Sequence, residues 1–242
     1  MSHTKNKKLS EFGKKGARIR WDKHQKKIKD HLKSIDRPEY SILKARLCGF
    51  LAGDGTVACR RENKKQNIIH YTVNFYPDHI SMVKSFLEAF EKLYQKRPAI
   101  KKEKNYYRIR TKCKFACLDL LNNSKFGIYT WEVPFNFLNN HQLKKEWLRA
   151  FFDCEGYVGK KQIQVQSVNK KGLHQVKNVL GDFGIESKIY KYKRKNKNWS
   201  TNYILNIGKK NMREMFLNKI GFNHKIKLIK LKQQFYKPAS DN

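Results

Sequence analysis

Acidic residues are scarce in this sequence. Its 242 residues carry 20 Asp and Glu against 54 Lys and Arg, a formal charge of +34. That excess is larger than solubility needs and points to a polyanionic partner, nucleic acid first and an anionic membrane surface second. Long apolar runs are also missing. None reaches the roughly 18 residues of a spanning helix, and the N-terminus is polar and lysine-rich with no apolar signal core. Membrane-spanning and secreted readings are therefore disfavoured, no membrane partner is expected, and the apolar stripes are assigned to a core. A cysteine framework is lacking too. The five cysteines, at 48, 59, 113, 117 and 154, make an odd count. A reducing compartment is expected, cytoplasmic or organellar and nucleoid-associated. Cys113 and Cys117 stand one helical turn apart without a CxxC or HxxxH beside them, so helix packing is the expectation. HNH-like, zinc-finger and P-loop patterns are absent. What is present is aromatic mass, 15 Phe and 12 Tyr, which suits a mostly folded chain.

The length allows one large domain or two repeats of about 100 residues. Residues 1–37 hold 13 Lys or Arg against four Asp or Glu and read as a basic N-terminal arm with a short helix after Gly16. The arm is either a phosphate-contacting element or a solvated tail. Pro38 is expected to end it, with the first apolar helix starting near Ser41 as its N-cap. From there the chain reads as a duplicated unit, residues 38–135 and 136–242, with a linker at about 132–142. Each copy gives an apolar helix, two strand-like stretches, an amphipathic helix, two more strands and a helix. The amphipathic helices share one spacing, Ile80, Val83, Leu87 and Phe90 in the first and Leu173, Val176, Leu180 and Phe183 in the second. IIHYTVNFY and QIQVQSV alternate with period two. The economical description is a pseudo-twofold pair of αββαββα subdomains, closed by a basic segment, HKIKLIKLKQQF.

The two apolar helices end alike. LCGFLAGDG (47–55) and LRAFFDCEG (148–156) align at an offset of 101, pairing Gly49 with Ala150, Gly53 with Cys154 and Asp54 with Glu155. Gly49 and Gly53 share one helix face, as do Ala150 and Cys154, and small residues at that spacing let two helices approach backbone to backbone. A helical glycine costs about 1 kcal/mol against alanine, so a pair of them implies a packing reason. Gly55 and Gly156 read as residues just past each helix, in the left-handed conformation that glycine accepts. Asp54 and Glu155 then face the negative ends of their own helix dipoles and repel each other. That arrangement is costly alone and sensible around a hard divalent cation that also binds phosphate.

These two segments resemble the motifs of LAGLIDADG homing endonucleases in the monomeric, double-motif form. EVPFNFL, VQSVNKKGLHQVKNVLGDFGIESKI and IGFNHKIKLIKL extend the likeness, which covers about residues 40–236. Ala52 departs from the acid usual in the first motif, and Ala150 from the Gly frequent in the second. The resemblance implies an α/β (α+β) fold of two pseudo-twofold repeats, each a saddle-like antiparallel sheet, joined through the paired motif helices. It implies a site-specific, intron-encoded DNA endonuclease that hydrolyses both strands of a long duplex with Mg²⁺ or Mn²⁺. By residue-to-residue carry-over Asp54 and Glu155 are the catalytic, metal-binding acids, and Gly53 and Cys154 place backbone carbonyls at the metal. Tyr76, Gln166 and Ser167 lie near the reactive water, and Lys101, Lys102 and Lys188 are alternative sources of positive charge there.

If each repeat forms a four-stranded sheet, its polar face would bind DNA. With Ile69, Tyr71, Val73 and Phe75 inward, the outward set is His70, Thr72, Asn74 and Tyr76. Tyr106, Arg108, Arg110 and Lys112 follow in the fourth strand. The second repeat turns out Gln162, Gln164 and Gln166, then Lys188, Tyr190, Tyr192 and Arg194. Arg, Gln and Asn pair bidentately with base edges in the major groove, while Lys64, Lys65 and Lys193 to Lys197 would meet phosphates. FGIYTW (126–131) contains the GIY triplet of another nuclease family but lacks its YIG partner, so chance explains it. Two other readings of the same fold stay open. One is an intron RNA maturase, with intron RNA as partner; the other is a DNA-binding regulator that does not cut.

Overall fold

The computed structural model describes residues 2–35, 37–61, 69–192 and 200–236. A long helix, α1 (Ser2–Ile35), precedes two copies of one arrangement. The first copy runs α2 (Pro38–Asp54), β1 (Gly55–Arg61), β2 (Ile69–Phe75), α3 (Ile80–Tyr94), β3 (Ala99–Lys102), β4 (Tyr107–Thr111) and α4 (Lys114–Asn123). The second runs α5 (His141–Glu155), β5 (Gly156–Val158), β6 (Ile163–Ser167), α6 (Lys170–Asp182), β7 (Lys188–Tyr192), β8 (Asn202–Ile207) and α7 (Lys210–Lys219). The last helix is α8 (Lys225–Lys232). Each copy forms a four-stranded antiparallel sheet, in the orders β1-β2-β4-β3 and β5-β6-β8-β7.

Two expectations about the start of the chain are corrected. The basic segment is one 34-residue helix rather than an arm with a short helix after Gly16. Lys and Arg are good helix formers, and no proline interrupts them. Its C-terminal part is also held: Ile28 and Ile35 are buried, and the His31 ring packs at a tilt against Phe115 of α4, centroids 5.3 Å apart. The first segment does end before Pro38, but Pro38 itself begins α2, ahead of the expected start near Ser41, because the first helical turn needs no N–H from it. Ser41 therefore sits inside the helix, its hydroxyl donating to the Arg37 carbonyl at 3.5 Å.

The two halves meet along α2 and α5. A Cβ on Gly49 would lie 2.4 Å from the Trp147 carbonyl and 2.9 Å from the Ala150 Cβ. One on Gly53 would lie 2.5 Å from the Cys154 Cβ. Glycine at both places is what permits the contact. Leu47, Phe50, Leu51, Leu148, Phe151 and Phe152 flank this seam, all buried, and belong to one core shared by both halves. Polar groups lock the seam's lower part. Arg46 Nε donates to Glu146 Oε2 across it at 3.1 Å. Behind α2 the fully buried Lys44 pairs with Asp119 at 3.0 Å, whose other oxygen accepts from the Tyr94 hydroxyl at 2.8 Å. Cys113 and Cys117 are buried in the core beside this network.

Gly55 and Gly156 are not left-handed. Their φ, ψ values, −128°, 170° and −72°, 121°, are extended, because each helix passes straight into a strand. The requirement for glycine is steric. A Cβ at Gly55 would sit 2.5 Å from the Leu51 side chain, and one at Gly156 2.5 Å from the Phe152 carbonyl.

Candidate metal centre and nucleic-acid face

Asp54 and Glu155 are the last residues of α2 and α5. Since the helices pack in parallel register through Gly49 and Gly53, their ends come together. The Glu155 Cγ lies 3.4 Å from where a Gly53 Cβ would be. The Asp54 carbonyl accepts from Tyr76 N at 3.0 Å, which ties the end of β2 to the helix end. Both acids are half-buried. Burial lifts the Asp54 carboxyl above its ordinary range, with Asp78 adding to the rise and Lys227 opposing it. Burial, then the charge of Asp54, pushes Glu155 up to about 7, again opposed by Lys227. The pair is short of positive charge.

Lys227 supplies part of it, and sequence reasoning missed this residue. Its Nζ donates to the Asp153 carbonyl at 2.6 Å and the Cys154 carbonyl at 2.8 Å. It thereby caps the carbonyl end of α5, where a cation is favoured. α8 is fixed in place around it. Asp153, fully buried, accepts from Asn223 N and His224 N at 2.9 Å each through Oδ1. His224 pairs with Asp78 at 3.3 Å and its ring lies 4.6 Å from that of His79. In the sequence this stretch reads only as a basic segment that closes the chain, and the signal that could have placed it was the apolar spacing that makes it a packed helix.

On the other side, Ala52, Gly53, Glu155, Gln166, Ser167 and Thr56 line a cavity of about 430 Å³. Gly127 and Ile128, in the segment that follows α4, form part of its wall, so FGIYTW borders Glu155 even though it matches no nuclease motif. A larger cavity of about 780 Å³ lies along β7 by Lys188 and Asn206, and its lining includes neither acid. A divalent cation is thus suited by the donors present: two carboxylates held in a half-buried place that already draws in an ammonium group.

The sheets place the other residues on one face each. The register sets Thr56 opposite Asn74, Ala58 opposite Thr72 and Arg60 opposite His70. Asn74 Nδ2 donates to Thr56 Oγ1 at 3.1 Å, so Thr56 and Arg60 of β1 join the polar face that the sequence reading assigned to β2 and β4. Arg108, Arg110 and Lys112 are exposed between buried Ile109 and Thr111. Arg108 is 3.7 Å from Glu103, which also pairs with Lys101 at 3.2 Å. Tyr76 and Tyr106 meet edge to face at 6.2 Å. Ile69, expected inward, is exposed because it lies at the far end of the strand, beyond the helices.

In the second sheet Gln164 donates to Gln162 at 3.1 Å, so these two share hydrogen-bonding capacity. Gln166 is exposed, as are Lys188, Tyr190 and Tyr192. Asn206 stands between Gln164 and Lys188 in the register, and Tyr157 opposite Gln164. Both belong to this face and were not anticipated. Arg194, the run Lys193 to Lys197, and Lys64 and Lys65 lie outside the described residues. Among the described residues no helix is long and apolar enough to cross a membrane.

Comparison with known proteins gives this geometry relatives. Residues 142–221 match the family model described as LAGLIDADG-like domain. The chain is 28% identical over 194 residues to the glutamine–fructose-6-phosphate aminotransferase of Methanocaldococcus jannaschii, covering 76% of this chain and 17% of that one. It is 35% identical over 94 residues to the replication factor C small subunit of Thermococcus kodakarensis, 39% of this chain and 10% of that one. The chain therefore spans under a fifth of these relatives' length. Among solved structures it resembles the homing endonuclease I-DmoI bound to DNA and Mn, with a TM-score of 0.58, 20% identity, and coverage of 75% of this chain and 97% of that one. The N-terminal LAGLIDADG domain of DUF199/WhiA matches with a TM-score of 0.52 and 16% identity, over 81% of this chain and 88% of that one. At these identities the structural likeness is one of fold.

Proposed function

We propose that this chain, a member of the LAGLIDADG family, is a site-specific, metal-dependent DNA endonuclease that acts as a monomer on a long duplex. The observation that carries this reading is the meeting of Asp54 and Glu155 at adjoining helix ends between two polar sheets. A structural helix end has no use for two half-buried carboxylates, whereas phosphodiester hydrolysis does. The divalent cation, when bound, would supply charge neutralisation at the phosphate and an activated water. Asp54 and Glu155 would hold it, with the backbone at Gly53 beside them. The chain's own residues do the rest. Packing of Gly49 and Gly53 fixes the spacing of the acids, and Lys227 keeps the α5 end from repelling a phosphate. The Arg, Gln, Asn and Tyr side chains of the two sheets read base edges in the major groove, and the excess of lysine attracts the backbone. The relatives add support from another direction. An aminotransferase and a replication factor C small subunit share with this chain only a minor part of their length. A segment common to such different proteins behaves as a separable element, which suits a homing enzyme.

A plasmid library carrying randomised inserts tests the reading. Incubation with Mg²⁺ should linearise a subset sharing one long sequence, and chelation should stop it. Asp54→Asn and Glu155→Gln should each lower double-strand cutting on the order of 10³-fold while retaining the duplex in a gel shift. Enrichment of a bound duplex without cutting by the wild type would instead identify a DNA-binding regulator.

A further inference from the structure

The twofold relation between the helix ends fails at one place. The offset of 101 that pairs Asp54 with Glu155 also pairs Ala52 and Gly53 with Asp153 and Cys154. The carbonyls of Asp153 and Cys154 are taken by the Lys227 ammonium at 2.6 and 2.8 Å. Ala52 and Gly53 instead border the 430 Å³ cavity, with the Glu155 side chain in its wall. The cause is that the two repeats lead into different segments. After α7 the chain turns into α8 and delivers Lys227. After α4 it runs through residues 124–140, whose one lysine, Lys125, pairs with Glu132 at 3.6 Å.

We propose that the paired helix ends take one divalent cation, at the α2 end, and that Lys227 permanently holds the equivalent position at the α5 end. This rests on the nuclease reading and deepens it. The lysine is built in rather than swung in: Asp153 clamps the backbone of Asn223 and His224, and His224 reaches Asp78 of the first repeat. A second divalent ion at the Asp153 and Cys154 carbonyls would have to displace this ammonium or stand against its charge. The carbonyl of Cys154, expected from the sequence to face a metal, therefore faces a lysine. With a divalent ion held by the α2 end and only the Lys227 ammonium at the α5 end, the two scissile phosphates would meet unequal charge, so the two strands would be cut in sequence and a nicked duplex would accumulate.

The test is Mn²⁺ binding to the full chain, with free Mn²⁺ followed by electron paramagnetic resonance. The wild type should bind one Mn²⁺ per chain. Lys227→Met should bind two, and Lys227→Arg, which keeps the cation, should bind one. Glu155→Gln should lose at least tenfold in affinity for the single ion, a check that does not depend on how well the Lys227 variants fold. On plasmid substrate the wild type should pass through a nicked form that Lys227→Met shortens at saturating Mn²⁺. Two equivalent Mn²⁺ ions in the wild type, or one in a folded Lys227→Met, would overturn the proposal and leave the nuclease reading standing. A wild type that binds none would overturn both.

Discussion

The ends of α2 and α5 share one plan and are finished differently. Each gives a carboxylate followed by a glycine that enters a strand. The α2 helix carries two glycines on its seam where α5 carries Ala150 and Cys154, so α2 yields the space and α5 fills it. Behind the seam the contrast continues. Lys44 of α2 is fully buried on Asp119, whereas its counterpart on α5 by the same offset, Lys145, is half-buried. The lesson is that a duplicated unit keeps its backbone plan while burial, charge and small residues are divided unequally between the copies.

Breaking the contrast at the buried lysine should have the largest effect on stability. Lys44→Met leaves the buried Asp119 short of its ammonium partner in the core and should cost about 3 kcal/mol or more. Lys145→Met should stay within about 0.5 kcal/mol. Urea denaturation of the two variants measures the difference. The seam comes next. Gly49→Ala gains helix propensity but forces a Cβ onto the Trp147 carbonyl, backbone that has no room to retreat. A net loss of about 2 kcal/mol is expected, whereas Ala150→Gly brings no clash and loses about 1 kcal/mol of helix propensity together with the burial of one methyl group. A Gly49→Ala variant as stable as wild type would disprove the close approach of the helices.

The smallest effect is a pH dependence. Glu155 is raised from 4.5 to about 7 in the folded, metal-free protein. Between those values the native state binds more protons than the unfolded one, so this group lowers stability as pH rises from about 4.5 to 7 and by a constant amount above. Glu155→Gln should therefore melt higher than wild type at pH 8, by an amount on the order of 1–2 kcal/mol after allowance for its partial exposure. The gap should close toward pH 5. Saturating Mg²⁺ should narrow it at pH 8 by stabilising only the wild type, and thermal melts at the two pH values read both effects.

Much of the fold was legible because the signals were local. Alternation in IIHYTVNFY and QIQVQSV marked β2 and β6, the matched apolar spacing marked α3 and α6, and the repeated acid and glycine marked the ends of α2 and α5. The misreadings came where tertiary contact overrode a local rule. Gly55 and Gly156 suggested left-handed caps, yet Leu51 and Phe152 explain them. The run before Pro38 suggested an arm, yet Phe115 holds its end as one helix. Lys227 was invisible as a site residue because it lies 73 positions along the chain from Cys154.

By itself the sequence determined the duplication, the two carboxylates, the polar strand faces and the large positive charge, since each of these is a matter of residue type and period. Only the tertiary structure decided that the two helix ends differ. Which carbonyls meet an ammonium and which meet a cavity depends on where α8 and the linker return to the seam. That return is set by packing between residues far apart in the chain.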